Sequence, residues 1–316
     1  MSETLLHETP VNDGLSDRPI STSWSVSPLW GAAAAASVLA LALFAPSGLW
    51  LLAFLGVVIL VHELGHLLVA RRVGMRPTEF FWGFGPEIVA VQRGDLRVGL
   101  KALFLGGYVK IPGMTPTEKL AEGVDEAGTY RAAGHARRMA TILAGCIVNL
   151  VCALVAFGLA NFLEGAAATA SVGTAFDDLW FVISGTGQAL WTWVTDITSY
   201  LGATVTGSEP RVRFMSPVSQ AEITSQAVEA GAVMALRWFG ILSCAIGAIN
   251  LLPLPPLDGG HAASIVIERV LQLVRRDRSV RFDLRVLNPL AYATVFVLVG
   301  LSLSALVMDL RSLGWY

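Results

Sequence analysis

His62-Glu63-Leu64-Gly65-His66 is the stretch of this chain best equipped for chemistry. On a helix, histidines four residues apart share a face and can bind one metal ion together. Glu63 projects beside them and can act as a general base. The setting adds to the argument. The apolar run Leu49 to Val61 precedes the motif, and Leu67, Leu68, Val69 and Ala70 follow it. Ionisable groups at membrane depth are costly and read as functional. The chemistry implied is metal-assisted hydrolysis within a bilayer.

A third ligand is available in Asn250-Leu251-Leu252-Pro253-Leu254-Pro255-Pro256-Leu257-Asp258-Gly259-Gly260-His261. Three prolines in four residues cannot continue a helix. Irregular backbone at membrane depth is tolerated only where protein buries it or a wet cavity adjoins it. Asp258 therefore lies on a polar, broken stretch. Two histidines, one carboxylate and one water make an open tetrahedral site of the catalytic zinc type. His261 is a rival ligand or a boundary residue. Asn250, just before the proline break, offers a donor and an acceptor to a peptide, or caps its helix.

The elements that must position these groups are membrane helices. The 316 residues are 54% hydrophobic and 15% charged, with mean hydropathy +0.62. Soluble domains carry about 25% charged residues. A net charge of −2 gives no case for nucleic-acid binding. Cys146, Cys152 and Cys244 all lie in apolar segments, without disulfide or zinc-ribbon spacing. Residues 1–28 read as a polar, disordered tail and a poor signal peptide. Apolar runs over 49–70, 139–163, 233–253 and 287–310 are long enough to span. An Ala-rich run over 29–45 makes the count four to five.

Positive charge sets orientation. Residues 71–138 hold 11 Lys and Arg, 164–232 hold two against seven acids, and 264–286 hold six. The alternation expects 71–138 and 264–286 in the cytoplasm and 164–232 outside. The histidine pair then lies toward the cytoplasmic end of its span. The expected fold class is mainly α: a polytopic membrane protein with four to five transmembrane helices and a small membrane-associated cytoplasmic β-sheet.

That sheet is read from Glu87 to Gln92 and Leu96 to Leu100, which flank Arg93-Gly94-Asp95 as in a hairpin. Phe104 to Ile111 is a further strand, broken by Gly106 and Gly107. A free edge there can accept an extended peptide by strand addition. The alternative is a sheet that only packs.

The combination of HELGH at 62–66 with NLLPLPPLDGG at 250–260 resembles the site-2 protease family of intramembrane zinc metalloproteases. Gly83-Phe84-Gly85-Pro86, Lys101 to Tyr108 and Ile111 to Met114 resemble the β-region of its bacterial regulatory branch. Ala144-Gly145-Cys146-Ile147-Val148-Asn149 resembles that branch's A-G-P-x-x-N helix, with Cys146 in place of the proline. The resemblance implies that His62, His66 and Asp258 hold Zn2+ and that Glu63 activates the water. It implies that Asn149 and Asn250 position a substrate strand, with Gly106 and Gly107 beside it. It further implies a multi-pass protein of the cell membrane that acts on a transmembrane protein substrate in the lipid bilayer. The resemblance points to an anti-sigma factor as that substrate, trimmed first by an upstream site-1 protease.

The expected organisation is a tail over 1–28, two core parts over 29–163 and 233–316, and an extracytoplasmic segment over 164–232. Relatives usually carry PDZ domains in that last region, which is too short here to hold one. Trp180, Ile183, Leu190, Val194, Ile197 and Leu201 recur near helical spacing, so an amphipathic helix on the outer leaflet is expected. A further span at 179–197 is the alternative. Competing functions are clearance of signal-peptide remnants and an inactive homologue that binds membrane proteins. The intact His62, Glu63, His66 and Asp258 argue against the latter.

Overall fold

The computed structural model describes residues 22–114, 118–120, 125–208 and 214–312. It is mainly helical, with one small antiparallel sheet. Among the described residues, four helices are long and apolar enough to cross a membrane. They are α2 (Pro46–Arg72), α3 (His135–Leu163), α7 (Ala232–Asn250) and α9 (Asn288–Ser312). The 29–45 run forms a shorter apolar helix, α1 (Pro28–Phe44). Its 17 residues extend about 26 Å. Pro46 opens α2 directly after it, so the two form a hairpin.

The expected tail needs one correction. Thr22–Val26 form strand β1, which pairs with β2 from Val89 to Arg93. Backbone hydrogen bonds to a neighbouring strand order this polar segment, and Pro28 favours extended backbone just before it. Residues 1–21, Arg211 and Arg213 lie outside the described residues. Because α1 leaves β1 and α2 leads into β2, this hairpin starts and ends beside the sheet.

Strands β2 (Glu79–Arg93) and β3 (Leu96–Lys110) form the expected hairpin around Gly94, whose φ is 61°. The hairpin runs further than expected, because β2 begins at Glu79. Residues 79–82 pair twice, with 97–100 and again with 107–110. That doubling leaves 107–110 at an outer edge. Tyr108 fixes this edge: its hydroxyl donates to Glu79 Oε2 at 2.6 Å and accepts from Lys101 Nζ at 2.9 Å. Burial and the Glu79 carboxylate push the Tyr108 hydroxyl well above its usual range, so it stays a neutral donor.

Helix α3 is the centre of the bundle. It packs against α2, α7, α4 (Ala168–Thr195) and α8 (Asp258–Arg275). Small residues make the close contacts, as is usual between membrane helices. Gly65 of α2 meets Ala144, and Gly247 of α7 meets Asn149.

The 164–232 segment is helical throughout most of its described length, as α4, α5 (Ile197–Thr206) and α6 (Pro217–Glu229). Helix α4 does not stand alone on a surface. Leu179, Val182 and Ile183 pack onto Ala153 and Phe157 of α3 and Cys244 of α7.

Candidate metal centre and its cleft

Helix α2 presents His62 and His66 on its buried side, with ring centroids 4.7 Å apart. Asp258 reaches them from the first turn of α8, where a carboxylate also suits the helix N-terminus. The turn over 251–257 folds back under this helix start. A Cβ on Gly259 would fall 2.2 Å from the Leu252 carbonyl oxygen, so the residue after the aspartate must be glycine.

The three donor atoms form a tight triangle. His62 Nε2 lies 3.2 Å from His66 Nε2 and 3.0 Å from Asp258 Oδ2. His66 Nε2 lies 3.3 Å from the same oxygen. Tetrahedral zinc with ligands at 2.0–2.2 Å needs its donors about 3.3 Å apart. The donor set and its spacing therefore fit that ion. His62, His66 and Asp258 form the candidate metal cluster among the described residues.

Groups around the donor triangle set the tautomers of its histidines. His66 Nδ1 lies 2.8 Å from the Thr141 carbonyl oxygen and donates to it, which leaves Nε2 free for a metal. Asn149 is fully buried and lies 3.3 Å from His62 Nδ1 through its amide. Among the described residues the Asn149 Oδ1 has no partner. A half-turn of that amide offers Oδ1 to Nδ1–H and frees His62 Nε2 in the same way. Cys146 donates to Asp258 Oδ2 at 3.5 Å.

A cleft of about 140 Å³ opens beside the triangle. Glu63, His66, Tyr108, Val109, Asp258 and His261 are among its walls. Glu63 is half-buried and faces the Val109 amide. The Glu63 side chain also abuts Gly107, where a Cβ would lie 3.1 Å from its Cγ. The edge strand and the carboxylate thus share one small space.

The structure brings together His62, Glu63, His66, Asp258, Asn149 and Gly107. Gly106 packs instead against the Phe84 ring. Asn250 ends α7, half-buried, and does not line this cleft. His261 lines the cleft but does not join the donor triangle. Sequence reasoning missed Thr141 and the role of Gly145. Gly145 stands inside the A-G-C-x-x-N motif, which was the available signal. Nothing local to Thr141 marks its carbonyl.

The pattern of Peptidase family M50 matches residues 50–296. The chain belongs to this family, the site-2 proteases. Zinc metalloprotease Rip1 of Mycobacterium tuberculosis is 42% identical over 95 residues, 30% of this chain. The chain spans only 23% of the length of that relative. A putative zinc metalloprotease of Clostridium acetobutylicum is 25% identical over 79% of this chain and 93% of its own length. One from Agrobacterium fabrum is 26% identical over 68% and 84%. The family and the four apolar helices make this M50 chain a membrane protein, working in a lipid environment.

Proposed function

We propose that this chain is a zinc-dependent endopeptidase of the cell membrane that cuts transmembrane segments of single-span proteins. One observation carries the reading. Side chains nearly two hundred residues apart converge on a triangle 3.0–3.3 Å on a side, beside the Glu63 carboxylate and the outer edge of β3.

His62, His66 and Asp258 would hold the ion. Bound there, zinc would supply a water with pKa near 7 and polarise the scissile carbonyl. Glu63 takes the proton of the attacking water and passes it to the leaving amine. Thr141 and Asn149 hold the two imidazoles in the tautomer that frees Nε2. We assign Asn149 to this support. Residues 107–110 take the unwound substrate as an added strand, which presents its amide bonds to Glu63. Gly107 keeps that edge low beside Glu63, and Gly106 seats the strand on the Phe84 ring. Asn250 serves the same substrate strand from the end of α7.

In the proposed organisation, 29–163 and 233–316 form the core and 164–232 lies outside. The substrate is an anti-sigma factor type of protein, shortened beforehand by a site-1 protease. Support for this comes from the regulatory-branch motifs around Gly83 and Gly113.

Zinc K-edge absorption of the purified chain tests the ligand set. Two imidazoles with only oxygen besides is the expected shell. A sulfur ligand, or a third imidazole, would reassign the site to Cys146 or His261.

A further inference from the structure

Helix α8 is inverted relative to a helix on a water-facing surface. Its packed side carries Ser264, Glu268 and Gln272 beside a single large apolar residue, Ile265. Its open side carries Val266, Ile267, Val270, Leu273 and Val274, with Val274 76% exposed. At 3.6 residues per turn these five fall on one arc of about 120°. Arg269 and Arg276 flank one side of that arc, and Arg275 and Arg278 lie close by, all exposed. Asp277 is the one acid among them.

The depth of α8 follows from two contacts. Its first residue, Asp258, meets Cys146 in the body of α3. Its middle residue, Glu268, pairs with Arg138 in the first turn of α3. Helix α8 therefore descends along α3 and reaches the level where Arg137 and Arg138 begin that span. The apolar arc therefore spans the level at which α3 begins, with Arg269 beside it and Arg275, Arg276 and Arg278 at its end.

We infer that α8 docks this arc into the interface of the cytoplasmic leaflet and that its arginines bind anionic lipid headgroups. The assignment to that leaflet rests on the orientation proposed above. An apolar stripe edged by arginine is the pattern of interfacial helices. Anionic headgroups supply the complementary charge. Because Asp258 is the first residue of α8, the lipid contact bears on the helix that carries a metal ligand.

The test uses the full chain in nanodiscs of phosphatidylcholine, alone or mixed with phosphatidylglycerol. Spin labels are placed singly at Val270, Leu273, Val274 and, as a water-side control, Ser279. The expected result is collision with oxygen severalfold above collision with a water-soluble nickel complex at the first three positions, and the reverse at Ser279. The excess should grow with phosphatidylglycerol and lose that growth in the R269Q/R275Q/R276Q/R278Q variant. Dominant nickel collision at the three positions would overturn the inference. So would shielding from both reagents, which would mean that a protein partner or a second copy covers the arc. Indifference to phosphatidylglycerol would overturn the headgroup assignment. None of these readouts needs peptidase activity, so failure of the protease reading would be seen separately.

Discussion

Gly145 lies so close to His66 that a Cβ on it would fall 2.4 Å from Nε2, and 2.7 Å from Cε1 of His62. Helix α3 can back the donor triangle only because this residue has no side chain. Gly145→Ala is expected to displace the histidine pair. Zinc affinity should fall at least about tenfold, the scale of disturbing a ligand's support. Competitive titration of the purified protein against a chelator measures this. Unchanged affinity would mean that α3 moves aside freely.

Asp258 and His261 make opposite predictions. Asp258→Ala removes one corner of the triangle and should abolish stoichiometric zinc. His261→Ala should leave zinc in place, since that ring stands outside the triangle. Metal analysis of both variants separates them. Full zinc in Asp258→Ala would pass the ligand role to another residue.

Glu268 sets a dependence on pH. Burial alone would raise its carboxyl. Hydrogen bonds from Arg138 and the Phe282 amide, with the charges of Arg138 and Arg281, more than offset this and hold it below the usual carboxylate range. A carboxylate depressed on folding adds stability above its unfolded value, about pH 4.3. That stability is lost as pH falls from there toward the folded value. Thermal midpoints in detergent should drop between about pH 5 and 3 more steeply in wild type than in Glu268→Gln. Arg138→Met, which leaves a buried carboxylate short of its main partner, should cost up to about 3–5 kcal/mol at neutral pH. Parallel pH curves for wild type and Glu268→Gln would show that this carboxylate does not contribute.

Substrate gating is expected at the far side of the core. An apolar cavity of about 700 Å³ separates α9 from α4 and from the turn that leads to Asp258. Trp191, Trp193, Leu254, Leu257 and Leu298 are among its walls. Trp191 is largely exposed, whereas Trp193 packs edge-on against Tyr200 and Phe214. Trp191→Ala should relax rejection of substrates with a folded outer domain, with zinc retained. Trp193→Ala should lower the thermal midpoint as well. Paired substrates that differ only in that domain provide the assay. Undiminished rejection in both variants would place the gate elsewhere.

The three side chains that form the donor triangle, and the spans, were legible because their signals are local. H-E-x-x-H works through helical spacing, the aspartate follows a proline-broken run, and each span is long and apolar. Other features depend on distant chain. The Thr141 carbonyl has no signature until α2 and α3 are packed together. The start of β2 is hard to read because Gly83, Gly85 and Pro86 interrupt the strand pattern after Trp82. They are a bend within the strand, with φ of 93° at Gly83 and 81° at Gly85. Strand β1 exists because β2 offers it an edge, which residues 22–26 alone do not reveal. Helix α4 was legible as an aromatic helix, but not its seat against Ala153 and Cys244.

The central claim is that Glu63 drives cleavage at a zinc site that it does not help to hold. The most direct measurement compares wild type and Glu63→Gln on a transmembrane peptide in nanodiscs, with products read by mass spectrometry and zinc measured in the same samples. Wild type should cut within the apolar segment, stop with a chelator and resume with zinc. Glu63→Gln should carry equal zinc and be slower by about 10²–10⁴ or more. Cleavage by Glu63→Gln at the wild-type rate would contradict the account.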